Sequence, residues 1–192
     1  MSEADLLATI KGTFTPTPAI LLGQAFGRVL ERPYPYRVDG GYRCGDYTFS
    51  DETMREPLAL LDRRGVFEAK GSKRYGDCTV VAKADYMLGA WIREFKTTQN
   101  AFDFDNYATS CQWRFMADIF EATKVTYDIF ILHADADDGA TEVRDMHSFD
   151  LFPYPELHQD CADLVEAFAD YVRVKGLDGL LRERQARAMD LA

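Results

Sequence analysis

The sequence lacks the features that mark membrane-spanning, secreted and disulfide-bonded proteins. No apolar run approaches the length needed to cross a bilayer, and the opening stretch MSEADLLATIKG has neither the basic start nor the cleavage site of a secretory signal. The four cysteines stand singly, without the paired spacing that presents two thiolates to one metal: Cys44, Cys78, Cys111 and Cys161. We therefore expect a cytoplasmic protein with reduced cysteines.

The chain also lacks an excess of positive charge. Its 32 acidic and 22 basic residues give a net charge of −10. Nonspecific affinity for DNA comes largely from Lys and Arg that neutralise phosphates, so this balance argues against a nucleic-acid partner. The charge is uneven, however, with basic residues clustered at 28–37, 63–74 and 182–187 and acids concentrated at 135–170. Such clusters are usually solvated surface, and the alternative is that they form one basic face on an acidic protein.

What the sequence does contain is the composition of a folded domain. Hydrophobic residues make up 47% of the 192 positions, and Phe and Tyr are plentiful. This length fills one core well and is short for two. We predict a single domain over 1–192, with a core at about 18–150 and a C-terminal helical elaboration at about 156–190.

Hydrophobic periodicity and turn residues predict alternating helices and strands. A helix begins at Thr17-Pro18 and stops before Pro33, because Thr is a good N-cap and Pro suits the first helical position. The order of these elements predicts an α/β (α+β) domain with a central mixed β-sheet flanked by helices. The remaining predictions are loop or short strands at 34–50, helices at 50–64, 106–122, 157–174 and 177–189, and strands at 78–86, 90–97, 125–133 and 142–149.

Candidate chemistry lies on the predicted hairpin of 78–86 and 90–97. Alternation along its second strand puts Ile92, Glu94 and Lys96 on one face. With Leu88-Gly89 as a two-residue turn, Asp85 lies opposite Ile92 and diagonal to Glu94, with β-carbons ~6–8 Å apart. Two carboxylates at that separation can share one divalent cation, and hard oxygen ligands suit Mg²⁺ or Mn²⁺.

Phosphodiester hydrolysis is the reaction that this group of residues suggests. A bound cation polarises the phosphate and lowers the pKa of an attacking water, and Lys96 is placed to orient that water or to offset transition-state charge. Taken alone, the pattern fits a surface hairpin with a cross-strand salt bridge equally well.

Four segments in order resemble the PD-(D/E)XK nuclease superfamily, especially its phage-type, RecB-like and lambda-exonuclease-like branches. They are LLGQAFGRVLE at 21–31, KADYMLGAWIREFKTT at 83–98, SCQWRFM at 110–116 and TYDIFIL at 126–132. The resemblance implies a restriction-endonuclease-like core and a Mg²⁺-dependent deoxyribonuclease, with Mn²⁺ as an alternative ion. It further implies an exonuclease that acts on DNA in recombination or DNA processing, in the cytoplasm of a bacterium or a phage-infected host cell. A homo-oligomer and a recombination-protein partner are further expectations.

The resemblance assigns roles to hairpin residues. It implies that Asp85 and Glu94 are metal ligands and part of the catalytic group, that the Phe95 carbonyl is a further ligand, and that Lys96 is the catalytic lysine. Glu31, at the end of the first helix, would be a third carboxylate ligand, with a helix-end surface Glu as the ordinary alternative. Gly27 stands where relatives often have a His.

The helix after the hairpin supplies a further set of candidates. Gln112 corresponds to a family Gln that faces the active site, which implies a catalytic role in orienting the scissile phosphate or a water, although a satisfied core amide is the alternative. Met116 stands where relatives often have Tyr. Arg28, Trp113 and Arg114 are candidates for DNA contact, with placement of Trp113 and Arg114 on the outer helix face as the alternative. Gly23 and Gly27 fit either close helix packing or bare backbone beside the carboxylate.

Two other functions compete with an active nuclease. The acidic charge and the missing His fit a noncatalytic nuclease-fold module that binds a protein or nucleic acid. A structural or inhibitory protein whose charge mimics DNA would show acids crowded on one face, with no basic surface beside Asp85.

Overall fold

The computed structural model describes residues 3–13, 15–135 and 137–181. Within these ranges the chain alternates between helices and strands, and no helix has the length and apolarity to cross a bilayer. The helices are α1 (Glu3–Lys11), α2 (Pro18–Glu31), a 3-10 turn (Tyr34–Tyr36), α3 (Asp51–Ala59), α4 (Phe104–Ala108), α5 (Cys111–Ile119) and α6 (Leu157–Val174). The strands are β1 (Arg37–Val38), β2 (Gly41–Cys44), β3 (Tyr47–Ser50), β4 (Val66–Tyr75), β5 (Cys78–Leu88), β6 (Trp91–Thr98), β7 (Lys124–Ala134) and β8 (Ala140–Leu151).

The eight strands form one mixed sheet in the order β1-β2-β3-β8-β7-β6-β5-β4. The β3–β8 and β6–β7 pairs are parallel, and the other pairs are antiparallel. The β6–β7 pair runs from Trp91–Lys124 to Thr98–Ile131 and lies near the middle of the sheet. The hairpin with the candidate chemistry is therefore anchored to the central strands.

Helices cover both faces of the sheet and create two hydrophobic cores. One core joins Tyr127 and Ile129 of β7 to residues of α5 and α6. The other joins Phe130 and Leu132 of the same strand to α2 and α3, and Phe26 of α2 is fully buried there. Alternate residues of β7 thus serve opposite cores, as a strand buried on both sides requires. This arrangement confirms the predicted α/β class with a mixed sheet flanked by helices.

Local signals explain where most of the helices begin. The Thr17 hydroxyl accepts a hydrogen bond from the Ile20 N–H at 3.4 Å, so the predicted cap starts α2. Ser50 accepts from the Thr53 N–H at 3.0 Å and starts α3 in the same way. The long helix predicted at 157–174 is confirmed as α6.

The structure corrects two predicted helices and adds one strand. The helix predicted to reach residue 64 ends at Ala59, where the N–H groups of Leu60 and Leu61 donate to the Pro57 and Leu58 carbonyls in a tighter closing turn. The single helix predicted at 106–122 is two helices, since Ser110 accepts from the Gln112 N–H at 3.2 Å and caps a new start. Strand β4 was not predicted. Of the predicted final helix, residues 178–181 are helical and the rest lies outside the described residues.

Candidate active site

The β5–β6 hairpin turns one residue later than the sequence predicts. Gly89 and Ala90 form the turn, and Leu88 pairs with Trp91, followed by Met87 with Ile92 and Tyr86 with Arg93. Continued by one position, this register sets Asp85 directly across from Glu94. The predicted diagonal placement of Asp85, opposite Ile92, is therefore wrong, because Gly89 with φ 60° supplies the left-handed turn residue. The correction brings the two carboxylates closer along the sheet.

Asp85 lies where the backbone ladder is interrupted on both sides. Toward β6 the pairs end at Tyr86–Arg93, and toward β4 the only gap in the ladder is the position where Glu68 faces Asp85. Glu68 has φ 56°, which is uncommon for a residue other than glycine and breaks the strand geometry. Ala84 and Met87 both pack in the α5–α6 core although they are three residues apart, so the side-chain alternation changes at this point.

The Asp85 carboxylate takes the place of the backbone carbonyl that would otherwise accept a hydrogen bond from β6 at this gap. Its Oδ2 accepts a hydrogen bond from the Phe95 N–H at 2.9 Å. Burial, and then the negative charge of Glu94, raise the pKa of Asp85 to about 7. Both causes penalise the charged carboxylate, so a cation placed beside the pair would lower the pKa of Asp85 again.

Glu94 is the most deeply buried acid of the site, with only 3% of its surface exposed. Its Oε1 accepts from the Lys96 ammonium at 2.9 Å and from the Gln112 amide at 2.6 Å. Its Oε2 is buried and has no hydrogen-bond partner among the described residues. A buried carboxylate oxygen without a partner is costly, so this atom is prepared for a ligand that the protein itself does not supply.

Strand β7 and helix α5 each place one residue next to Glu94. Tyr127 pairs with Glu94 across the parallel β6–β7 ladder, and the Lys96 ammonium lies 6.0 Å from the centre of its ring. Burial raises the pKa of the Tyr127 phenol, which therefore stays neutral. Because Ser110 caps a new helix start, α5 begins separately from α4 and places Gln112 next to Glu94. The prediction that Gln112 turns toward this site agrees with its bond to Glu94.

The donor set fits a hard divalent cation. Asp85 and Glu94 supply carboxylate oxygens, of which Glu94 Oε2 is unsatisfied. In an extended strand the N–H and C=O of one residue point to the same edge, so the Phe95 carbonyl faces the same gap as its N–H. Two carboxylates and a carbonyl are ligands that Mg²⁺ or Mn²⁺ accepts while keeping several waters.

Glu31 does not join the two central carboxylates. No three His, Cys, Asp or Glu side chains in the described ranges lie close enough to hold a metal ion. Glu31 forms an ion pair with Arg32 at 3.1 Å and is close enough to Lys83 to help raise the pKa of that lysine. The reason is positional: α2 packs with Phe95 in the core opposite the one that α5 covers, whereas Glu94 faces α5.

The two glycines of α2 have different surroundings. A β-carbon at Gly23 would lie 2.2 Å from the Thr97 hydroxyl oxygen, so this glycine permits close packing of α2 on β6. A β-carbon at Gly27 would meet nothing within 4 Å. Close packing therefore accounts for Gly23, whereas Gly27 leaves open space one helical turn before Glu31.

The three candidate DNA contacts differ in exposure. Arg28 is exposed on α2. Trp113 is only 5% exposed, lies in the α5–α6 core and donates to the Ala108 carbonyl at 2.9 Å. The Nε of Arg114 is buried, and its guanidinium lies 5.8 Å from the Trp113 ring. Placement of Trp113 on the outer helix face is therefore wrong, because it packs in the core that α5 shares with α6, and little of it remains for a ligand. Arg114 is half-buried beside it.

Three residues near the site were not predicted: Glu68, Lys83 and Tyr127. Lys83 forms an ion pair with Glu68, which raises the pKa of Lys83, and the charges of Asp85 and Glu31 add to the effect. The sequence could have indicated that Lys83 lies near the site, because it stands two residues before Asp85. The left-handed backbone at Glu68 and the cross-ladder position of Tyr127 had no counterpart in the sequence pattern.

Several solved structures resemble this chain at low identity. One is SSO0001, at 12% identity and a TM-score of 0.43, covering 58% of this chain and only 53% of that chain. A candidate exonuclease from Eubacterium rectale aligns at 13% identity over 88% of this chain and 72% of its own, with a TM-score of 0.48. A phage-related exonuclease from Haemophilus somnus 129PT aligns at 12% identity over 97% and 89%, with a TM-score of 0.40. No protein-family model and no curated protein sequence matches the chain. These similarities are too weak to assign a function.

Proposed function

We propose that this protein is a metal-dependent nuclease that hydrolyses DNA phosphodiester bonds at a site of the PD-(D/E)XK type. The observation that carries the proposal is the state of Glu94. One of its oxygens is held by Lys96 and Gln112, while the other is buried and has no hydrogen-bond partner in the part of the chain that the structure describes. In a purely structural salt bridge both carboxylate oxygens of Glu94 would have hydrogen-bond partners, whereas a metal ligand needs one free oxygen in a fixed direction.

Each residue has a proposed role in this reaction. Asp85, Glu94 and the Phe95 carbonyl would hold Mg²⁺, or Mn²⁺ in its place. When bound, such an ion supplies a Lewis acid for the phosphate and lowers the pKa of its water. Lys96 lies beside Glu94 and can hold the attacking water or offset negative charge on the phosphate. Gln112 acts through Glu94 as a positioning residue, because its amide fixes Oε1 and so aims Oε2.

The narrower assignment rests on the sequence resemblance. The four segments that resemble phage-type and lambda-exonuclease-like proteins support an exonuclease acting in recombination or DNA processing. A recombination-protein partner belongs to the same proposal. The acidic DNA mimic is less well supported, since two exposed lysines, Lys70 and Lys83, lie near Asp85 on β4 and β5.

Hydrolysis of DNA by the purified protein tests the proposal. Linear DNA should be degraded with Mg²⁺ or Mn²⁺ and remain intact with EDTA. Lys96→Ala should reduce the rate at least ~100-fold, as removal of a group that stabilises transition-state charge does. Lys124→Ala, which removes a half-buried lysine of β7 that pairs with Asp150 of β8, is the matched control. A wild-type protein that leaves single- and double-stranded DNA and RNA intact would refute the enzyme.

A noncatalytic nuclease-fold binding module is the second candidate. It is favoured by the position of Glu31, which leaves two carboxylates together instead of three. A protein that binds DNA but shows no hydrolysis and no Mn²⁺-dependent change in melting temperature would support this candidate over the enzyme.

A further inference from the structure

The outward face of the β4–β5 hairpin is basic, although the chain as a whole is acidic. Alternation along both strands places one set of residues toward α5 and the other toward solvent. No acid occurs in the solvent-facing set between the hairpin turn and the ladder gap at Glu68 and Asp85. Its six members, all exposed, are Lys70, Ser72, Arg74, Thr79, Val81 and Lys83.

The charges on this face are placed at a cost to stability. Lys70 and Lys83 are direct partners in the β4–β5 ladder, and like charges in that position repel each other. Lys83 is partly compensated by its ion pair with Glu68. Lys70 forms no ion pair within the described part of the chain. The charge of Lys70 therefore does not stabilise the hairpin, and an anionic ligand would relieve the repulsion.

Arg74 extends the basic face toward the hairpin turn. Its Nε donates to the Gly76 carbonyl at 2.8 Å, and its guanidinium lies 3.5 Å from Asp77, whose side chain is fully exposed. An ion pair of that length in full solvent is weak, so Arg74 stays available to a stronger anion. The face therefore offers three cations, with Lys70 and Lys83 side by side across the two strands and Arg74 further along β4.

We propose that the solvent face of the β4–β5 hairpin binds the phosphodiester backbone of nucleic acid and leads it to Asp85. This inference rests on the proposed nuclease function and adds the surface that holds the substrate. Thr79 and Asp85 are six positions apart, a length of roughly 20 Å along an extended strand. One strand of duplex DNA advances ~3.4 Å per nucleotide, so this face spans about six nucleotides. Charge complementarity identifies the occupant, because the phosphate backbone carries regularly spaced negative charge over such a length.

The salt dependence of DNA binding tests the proposal directly. A fluorescently labelled DNA duplex is titrated with the wild type and the double variant Lys70→Gln/Arg74→Gln, in EDTA so that no cleavage occurs, at several salt concentrations. Removing one cation that pairs with a phosphate should reduce the slope of log K against log[salt] by about 0.9, so the slope of the double variant should be smaller by about 1.8. Arg55→Gln, an exposed arginine of α3 at the other end of the sheet, should leave the slope unchanged.

Two further measurements separate binding from folding and from chemistry. Lys70→Gln should raise the melting temperature, because it removes the repulsion with Lys83, so weaker binding would not reflect a damaged fold. Hydrolysis of bis(p-nitrophenyl) phosphate, which has no flanking backbone to bind, should be the same in the double variant and the wild type.

The possible outcomes distinguish this inference from the nuclease proposal. A wild-type slope in the double variant, in a protein that degrades DNA, would overturn the inference and leave the nuclease intact. Binding that depends on Lys70 and Arg74, in a protein that degrades no nucleic acid, would support the inference and refute the nuclease.

Discussion

Asp85 is the residue whose charge is least favourable in the metal-free protein. It is half-buried and faces Glu94 across the hairpin, and its compensating interactions are the hydrogen bond from the Phe95 N–H at 2.9 Å and the charge of Lys96. Because the folded protein raises its pKa to about 7, folding favours the protonated form. The contribution of Asp85 to stability is therefore present below about pH 4 and is lost as the pH rises through about 7.

We predict that Asp85→Asn stabilises the metal-free protein at high pH. The amide stays neutral at every pH and can still accept from the Phe95 N–H. Relative to the wild type in EDTA, the free energy of unfolding should rise by about 2–4 kcal/mol above pH 8. The gain should shrink toward zero near pH 4. Urea unfolding at a series of pH values measures both quantities.

Asp77→Asn is the control for this measurement, since Asp77 lies fully exposed next to the β4–β5 turn. Its effect on stability should be small and similar at all pH values. A gain for Asp85→Asn that does not change with pH would contradict the electrostatic account of the site.

At the scale of elements, α2 offers a matched pair of glycines. Alanine is favoured over glycine in a helix by about 0.5–1 kcal/mol, and a β-carbon at Gly27 meets open space. We predict that Gly27→Ala stabilises the protein by that amount. Gly23→Ala should instead destabilise it by about 1–3 kcal/mol, since its β-carbon would clash with Thr97, a stiff, β-branched side chain. Thermal unfolding of the two variants gives the comparison, and equal shifts would show that α2 does not pack on β6 through Gly23.

The hairpin shows how much of the site the sequence could predict. The strand pair and the nearness of Asp85 to Glu94 followed from alternation and turn residues. The register was predicted wrongly, although turn chemistry favours Gly89-Ala90, because a type II′ turn takes Gly at its first central position and Leu88-Gly89 would put Leu there. The ladder gap at Glu68 was beyond prediction, since glutamate has no local preference for a left-handed backbone.

The helix after β6 shows the same limit in another form. Apolar spacing across 106–122 predicts one continuous helix, while Ser110 is a good N-cap that competes with it. In the structure Ser110 caps a separate helix, and because α5 starts there, the Gln112 amide lies 2.6 Å from Glu94. Its contact with Glu94 thus depended on a helix boundary, which is the least certain part of a sequence-based assignment.

At the scale of the whole molecule, the site lies between strands that both cores support. Metal binding there should therefore stabilise the entire fold and not only the hairpin. We predict that Mn²⁺ raises the melting temperature of the wild type, with a gain of about 2.7 kcal/mol at a free concentration 100 times the dissociation constant. Differential scanning fluorimetry with and without EDTA measures the effect.

Three variants define which contacts the ion uses. Asp85→Asn and Glu94→Gln should abolish the Mn²⁺-dependent rise. Gln112→Ala should keep it but require roughly 10–100-fold more Mn²⁺, as loss of an outer partner of a ligand does. A rise of equal size in Asp85→Asn would place the ion elsewhere.

The hydrogen bond from the Phe95 N–H to Asp85 gives the protein a built-in spectroscopic reporter. Backbone amides in a sheet normally bond to carbonyls, whose charge does not change with pH, but this amide bonds to a carboxylate that titrates. Its proton chemical shift and its rate of exchange with solvent therefore follow the charge of Asp85. A single amide resonance at position 95 thus reads out protonation and ion binding in the intact protein, independently of any substrate.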